Sequence, residues 1–171
     1  HSEDSKSNML ASLSNKEREY LITNKIREHF STKENSFLNI HKLIFSKEIL
    51  ILSYSEVANA KGSTTKAGDN STLDGITLKK IEKLSEDILN GTWQPGISKR
   101  VMIPKKTTGE FRPLTIISPY DKIVSNAIKI IFTLIYEPTK SNNYISRDKQ
   151  FSSSSHGFRP TKGCHSALNT T

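Results

Sequence analysis

The chain has 171 residues, 34% hydrophobic and 25% charged, with 25 Lys and Arg against 17 Asp and Glu for a formal charge of +8. That length makes one domain of ordinary size or a lobe of a larger protein. The single cysteine, Cys164, excludes an intrachain disulfide and a thiolate zinc cluster, and no stretch reaches the ~20 apolar residues of a membrane span.

Residues 1–14 are polar and short of aromatics, which predicts a flexible N-terminus. They begin HSEDSKSN, without Met or a hydrophobic signal region, and read as a processed or excised start. A helix is predicted over 15–30, where Tyr20, Leu21, Ile26 and Phe30 share a face. A stronger one is predicted over 36–59, on Phe37, Ile40, Ile44, Leu50 and Tyr54, with Lys42, Lys47 and Glu48 on its polar side. The segment AKGSTTKAGDNSTLDG is too rich in Gly, Ser, Thr and Asp to pack and is predicted as a loop. Asp69 and Asp74 within it read as turn formers before they read as metal ligands. A third helix over 78–90 carries Ile81, Leu84, Ile88 and Leu89, and ends at Asn90-Gly91 ahead of Pro95.

Alternation of Ile97, Lys99, Val101 and Ile103 with Ser98, Arg100 and Met102 then predicts a strand, turned at Thr107-Thr108-Gly109 and returning over 111–117. Pro113 keeps the returning strand from being central along its whole length. Ser118-Pro119-Tyr120-Asp121 supplies an N-cap, an N1 proline and a first-turn carboxylate for a helix to about residue 136, burying Ile123, Ala127, Ile130, Ile131, Leu134 and Ile135. A polar stretch, SNNYISRDKQFSSSS, precedes SHGFRPTKGCHSALNTT, which begins a further helix without an ending signal and reads as the edge of a fragment. The class is α+β.

The five histidines form no zinc pattern, and neither a G-x-S-x-G elbow nor a phosphate loop is present. Two basic groups remain. Lys99, Arg100, Lys105, Lys106 and Arg112 surround the hairpin turn, with Lys105 and Arg112 on opposite arms and close enough to meet one anion. Charge alone favours a solvated edge hairpin over such a clamp. The second group is His156-Gly157-Phe158-Arg159-Pro160 with Lys162, an aromatic beside Arg in the manner of strand-binding proteins; Phe158 reads first as a core anchor and second as a stacking platform. The basic excess fits a polyanionic partner, because each cation set on a phosphate releases counterions, although many basic domains bind no nucleic acid.

The succession KGSTTKAGDNSTLDG, ILNGTWQPG, KRVMIPKKTTGEFRPLTIISPYDKIVSNAIKIIFTLIYEP and SSHGFRPTKGCHSAL resembles the N-terminal part of group II intron-encoded reverse transcriptases, the maturases of bacteria and organelles. The resemblance implies the fingers of a right-hand polymerase over 61–171, preceded by a helical N-terminal extension over 15–60. It implies that Lys105 and Arg112 contact an incoming deoxynucleotide with Lys99 and Arg100 nearby, and that Arg159 contacts the template beside Gly157, Phe158 and Lys162. It further implies that extension and fingers grip structured intron RNA, with Lys61 and Lys66 in the contact set. Asp69-Asn70 departs from the usual Asp-Gly, the turn between Lys105 and Arg112 is one residue longer than the compact form, and Lys162-Gly163-Cys164 replaces a short basic-Ser segment. The Ile-, Asn-, Lys- and Ser-rich composition is that of A+T-rich genomes and, with the family, implies a mitochondrion or other organelle.

Nucleotidyl transfer in this family uses two metal ions held by aspartates, Mg2+ being expected for the complete polymerase. The 171 residues contain no Y-x-D-D. The segment is therefore expected to bind without catalysing by itself. The alternative is a degenerate remnant retained as a non-catalytic RNA-binding component of a ribonucleoprotein.

Overall fold

The computed structural model describes residues 13–31, 39–60, 62–106, 109–137 and 151–169. The expected flexible start up to residue 12, the expected helix start at 36–38, Lys61 and the turn residues Thr107 and Thr108 lie outside them. The chain divides into two compact units, 1–128 and 129–171. Helices and one small antiparallel sheet make an α+β chain, as expected from the pattern. No helix among the described residues is long and apolar enough to cross a membrane.

Helix α1 (Asn15–Ser31) starts on a reciprocal cap. The Ser14 N–H and hydroxyl donate to the Glu17 carboxylate at 2.8 and 2.6 Å, while the Glu17 N–H turns back to Ser14 Oγ at 3.4 Å. These bonds hold the Glu17 carboxyl below its usual range. Ile22 and Ile26 are the buried face, and Lys25 reaches Glu48 at 3.4 Å.

The single helix expected over 36–59 is instead two, α2 (Ile40–Ile44) and α3 (Lys47–Ala58). Ser46 adopts an extended backbone (φ −62°, ψ 148°) that ends one and opens the other. The break frees the Phe45 carbonyl, which accepts the Ser85 hydroxyl at 2.6 Å. A change of direction here also lets α3 be enclosed: Ile49, Leu50, Ile51, Leu52, Ser53 and Ser55 are all buried, more than one stripe of a surface helix. The Ser53 hydroxyl is paid off inside by the Ile123 carbonyl at 2.6 Å.

The loop that follows packs better than its composition predicts. Ala67 and Leu73 are buried, the Ala67 N–H donates to the Ser71 carbonyl at 3.0 Å, and the Gly68 N–H donates to the Ile97 carbonyl at 3.3 Å. A side chain on Gly68 would meet Ile97 at 2.9 Å, so glycine is required for this approach. Asp69 makes the expected turn chemistry, accepting the Ser71 N–H at 3.0 Å.

Helix α4 (Leu78–Leu89) buries Ile81, Leu84 and Ser85. Its end is a left-handed cap: Gly91 has φ 72°, and the N–H groups of Gly91 and Thr92 donate to the carbonyls of Ile88 and Asp87 at 3.1 and 2.8 Å. Strands β1 (Lys99–Pro104) and β2 (Phe111–Ile116) form the hairpin, pairing Lys99 with Ile116 and Pro104 with Phe111. Helix α5 (Pro119–Tyr136) opens as its sequence predicts, with the Asp121 N–H donating to Ser118 Oγ at 3.2 Å. Ile123, Ala127, Ile130, Ile131 and Ile135 are buried as expected, together with Val124, while Leu134 is only half-buried. The short α6 (Cys164–Leu168) lies in the second unit.

Candidate nucleic-acid interface

The hairpin's register decides which cations share a face. Ile103 lies opposite Arg112, and one step beyond Pro104–Phe111 the Lys105 N–H donates to the Glu110 carbonyl at 2.8 Å. Residues opposite one another, and every second residue along a strand, share a face. Lys99, Val101, Ile103, Lys105, Glu110, Arg112 and Leu114 therefore lie on one face, while Arg100 lies on the other with Met102 and Phe111. Val101 and Ile103 are half-buried and give that first face a partial apolar base, whereas Lys99, Lys105 and Arg112 are exposed. The Lys105 ammonium meets the Glu110 carboxylate at 2.9 Å, with both side chains about half exposed.

The ladder also accounts for its prolines. Hydrogen-bonded and non-bonded pairs alternate in an antiparallel sheet, so the bonded Lys105–Glu110 pair places Pro104 and Pro113 at non-bonded positions. Their missing N–H groups would face outward, where they cost no ladder bond and blunt both free edges.

The second group has its expected orientation reversed. Arg159 is buried, its Nε and Nη2 donating to the two Glu137 carboxylate oxygens at 2.8 and 3.0 Å, and its Nη1 to the carbonyls of Ser152 and Ser155 at 2.8 and 2.6 Å. The guanidinium also lies 5.3 Å from the centroid of the Phe151 ring. The Glu137 bonds raise the Arg159 pKa further above its ordinary range. Phe158, read first as a core anchor, is fully exposed at 112%. The correction has a backbone cause: Phe158 and Thr161 take left-handed φ values of 57° and 60°, turning Arg159 inward and Phe158 out. Gly157 is exposed, and among the described residues nothing beyond its chain neighbours comes within 4 Å of where its Cβ would be. Lys162 is half-buried and donates to the Ser153 carbonyl at 3.2 Å, and the His156 ring meets Ser166 Oγ at 2.8 Å. In the first unit Lys66 is exposed on its loop.

No family model matches the chain. Individual proteins do. It is 34% identical over 134 residues to the group II intron-encoded protein LtrA of Lactococcus lactis, covering 78% of this chain and 20% of LtrA. It is 36% identical over 146 residues to the putative COX1/OXI3 intron 2 protein of Saccharomyces cerevisiae, covering 85% of this chain and 16% of that protein. An uncharacterized 91 kDa protein in a cob intron of Schizosaccharomyces pombe matches at 32% over 131 residues, 76% of this chain and 15% of its own length. The chain belongs to the group II intron-encoded proteins. It spans about a fifth or less of the length of these relatives.

Among the candidate residues of this intron-encoded protein, the structure brings Lys99, Lys105 and Arg112 to one hairpin face and puts Arg100 on the reverse. It places Gly157 and Phe158 at an exposed turn and draws Arg159 into the fold. Two carboxylates escaped the sequence reading. Glu110 is Lys105's cross-strand partner, visible only once the turn length fixes register; Glu137 is 22 residues from Arg159 and had no local signal.

Proposed function

We propose that this chain is the N-terminal extension and fingers portion of an intron-encoded RNA-directed DNA polymerase and maturase, in which it grips intron RNA and closes on the phosphates of an incoming deoxynucleotide. Family membership supports the polymerase and splicing context, and residues 15–60 and 61–171 are the proposed extension and fingers. The observation that carries the clamp is the single hairpin face bearing Lys99, Lys105 and Arg112. Arg112 offers a planar fork to two phosphate oxygens, and Lys105 a point charge that can follow them. Exposed ion pairs contribute only about 0–1 kcal/mol, so a triphosphate can displace Glu110 from Lys105 at small cost. Arg100, on the reverse face, is better suited to RNA than to the same nucleotide.

Template contact in this reading falls to Gly157, Phe158 and Lys162. Arg159 fixes the turn that presents them. No three His, Cys, Asp or Glu side chains converge among the described residues; the role proposed for this chain is grip. The COX1 and cob intron names of the relatives support a mitochondrial setting.

Charge reversal at Arg112 or Lys105, in a full-length protein carrying this segment, tests the clamp. We expect the KM for deoxynucleotides to rise about tenfold or more, with template affinity nearly unchanged, as for loss of a charge-assisted contact to one ligand. An equal loss of template binding would count against it.

A further inference from the structure

A groove of about 410 Å³ opens in the first unit between α4, the residues after its cap and the start of α5. That volume lies within the range of small-molecule sites. Its walls are Lys80, Lys83, Asp87, Trp93, Gln94 and Tyr120, over a floor made by buried Leu84. The sequence explains the assembly. Lys80, Lys83, Leu84 and Asp87 recur at helical spacing on one side of α4. The Gly91 cap then folds the chain back, so that the Trp93 N–H donates to the Asp87 carbonyl at 3.0 Å and the indole is laid beside the helix.

We propose that this groove holds one unpaired RNA nucleotide, its base against Trp93 and Tyr120 and its phosphate toward Lys83. The inference rests on the RNA-binding reading above and adds to it a place and a nucleic-acid form. Several observations favour a nucleotide. Trp93 and Tyr120 are half-buried and both line the groove, and among the described residues neither contacts another aromatic ring. The side chains of Lys83 and Gln94 make no hydrogen bond among the described residues, whereas the Lys80 ammonium is tied to the Gly75 carbonyl at 3.0 Å. Lysine beside aromatic faces is the combination that binds single strands, because every base has a π-face and every link a phosphate. Gln94 presents both a donor and an acceptor to a base edge. Asp87 counts against a purely anionic ligand and accepts from the amino or imino groups that unpaired bases expose. Burial pushes the Tyr120 phenol above its ordinary range, so it stays a hydrogen-bond donor at neutral pH.

Trp93 is the chain's only tryptophan, so its emission reports this groove alone. The 171-residue chain is titrated with an unstructured single-stranded RNA decamer and with duplex RNA of equal length, following both tryptophan emission and the anisotropy of labelled RNA. The expected result is saturable quenching by the single strand, with the same midpoint as the anisotropy curve and little quenching by the duplex. Lys83→Glu, an exposed change that leaves the core intact, should weaken single-strand binding about fivefold. Trp93→Ala should weaken it about tenfold and Trp93→Phe much less, as for loss of one stacked base. RNA binding with unchanged tryptophan emission, or equal quenching by duplex, overturns the groove and leaves the RNA reading standing. Absence of any RNA binding overturns both.

Discussion

Phe158 and Arg159 hold the positions that hydropathy would assign to each other. An exposed aromatic with φ 57° beside a buried guanidinium keeps a backbone conformation that β-carbons disfavour, and the Arg159 bonds to Glu137, Ser152 and Ser155 oppose that cost. Glu137→Gln should therefore loosen the 151–169 segment while leaving the first unit folded. Limited trypsin digestion should cut after Lys162 at least about fivefold faster; unchanged cleavage would show that the pair does not hold the turn. Pattern could not reveal this, because hydropathy says that Arg belongs outside unless its partner is known, and that partner is distant in sequence. Glu17 is a second case at this scale. Its carboxyl is held low in the fold by Ser14, so its contribution is complete above the unfolded value of about 4.3 and is lost as pH falls through the lower folded value. Amide exchange in the first turn of α1, corrected for intrinsic rates, should quicken on acidification below about pH 4. Ser14→Ala should quicken it at neutral pH about fivefold and remove the pH step.

At the scale of elements, helix and strand types were legible wherever punctuation was strong. Ser118-Pro119 opened α5 and Asn90-Gly91 closed α4, and the alternation over 97–103 with its proline-bearing return gave the hairpin. The division between α2 and α3 was not legible, because the apolar spacing continues across Phe45-Ser46 and the Ser85 hydroxyl that meets the freed Phe45 carbonyl is a tertiary contact. The same limit hid the anchoring of the hairpin's base. The Gly96 N–H donates to the Asp121 carboxylate at 3.1 Å, and a Cβ on Gly96 would lie 2.5 Å from that of Ser118. Gly96→Ala should thus cost about 1–3 kcal/mol in denaturant unfolding and move the entry to β1. A neutral result would mean that the segment leading into β1 has room to shift. Among the candidate site residues, the hairpin lysines and Arg112 were legible as a group, but their division between two faces needed the register.

For the whole molecule, the charge of +8 becomes specific only through the family, and the family through the order of several weak motifs rather than any strong one. In the proposed function intron RNA gives the exposed lysines and arginines a common purpose, and the cationic hairpin face, the outward Phe158 turn and the groove at Trp93 are the proposed contacts. The most direct test is the affinity of the 171-residue chain for a folded group II intron RNA, measured by anisotropy from 50 to 200 mM salt. Phosphate neutralisation by several of these cations predicts that the affinity falls about a hundredfold or more across that range. Binding that does not change with salt, or no binding at the low end, would contradict the account.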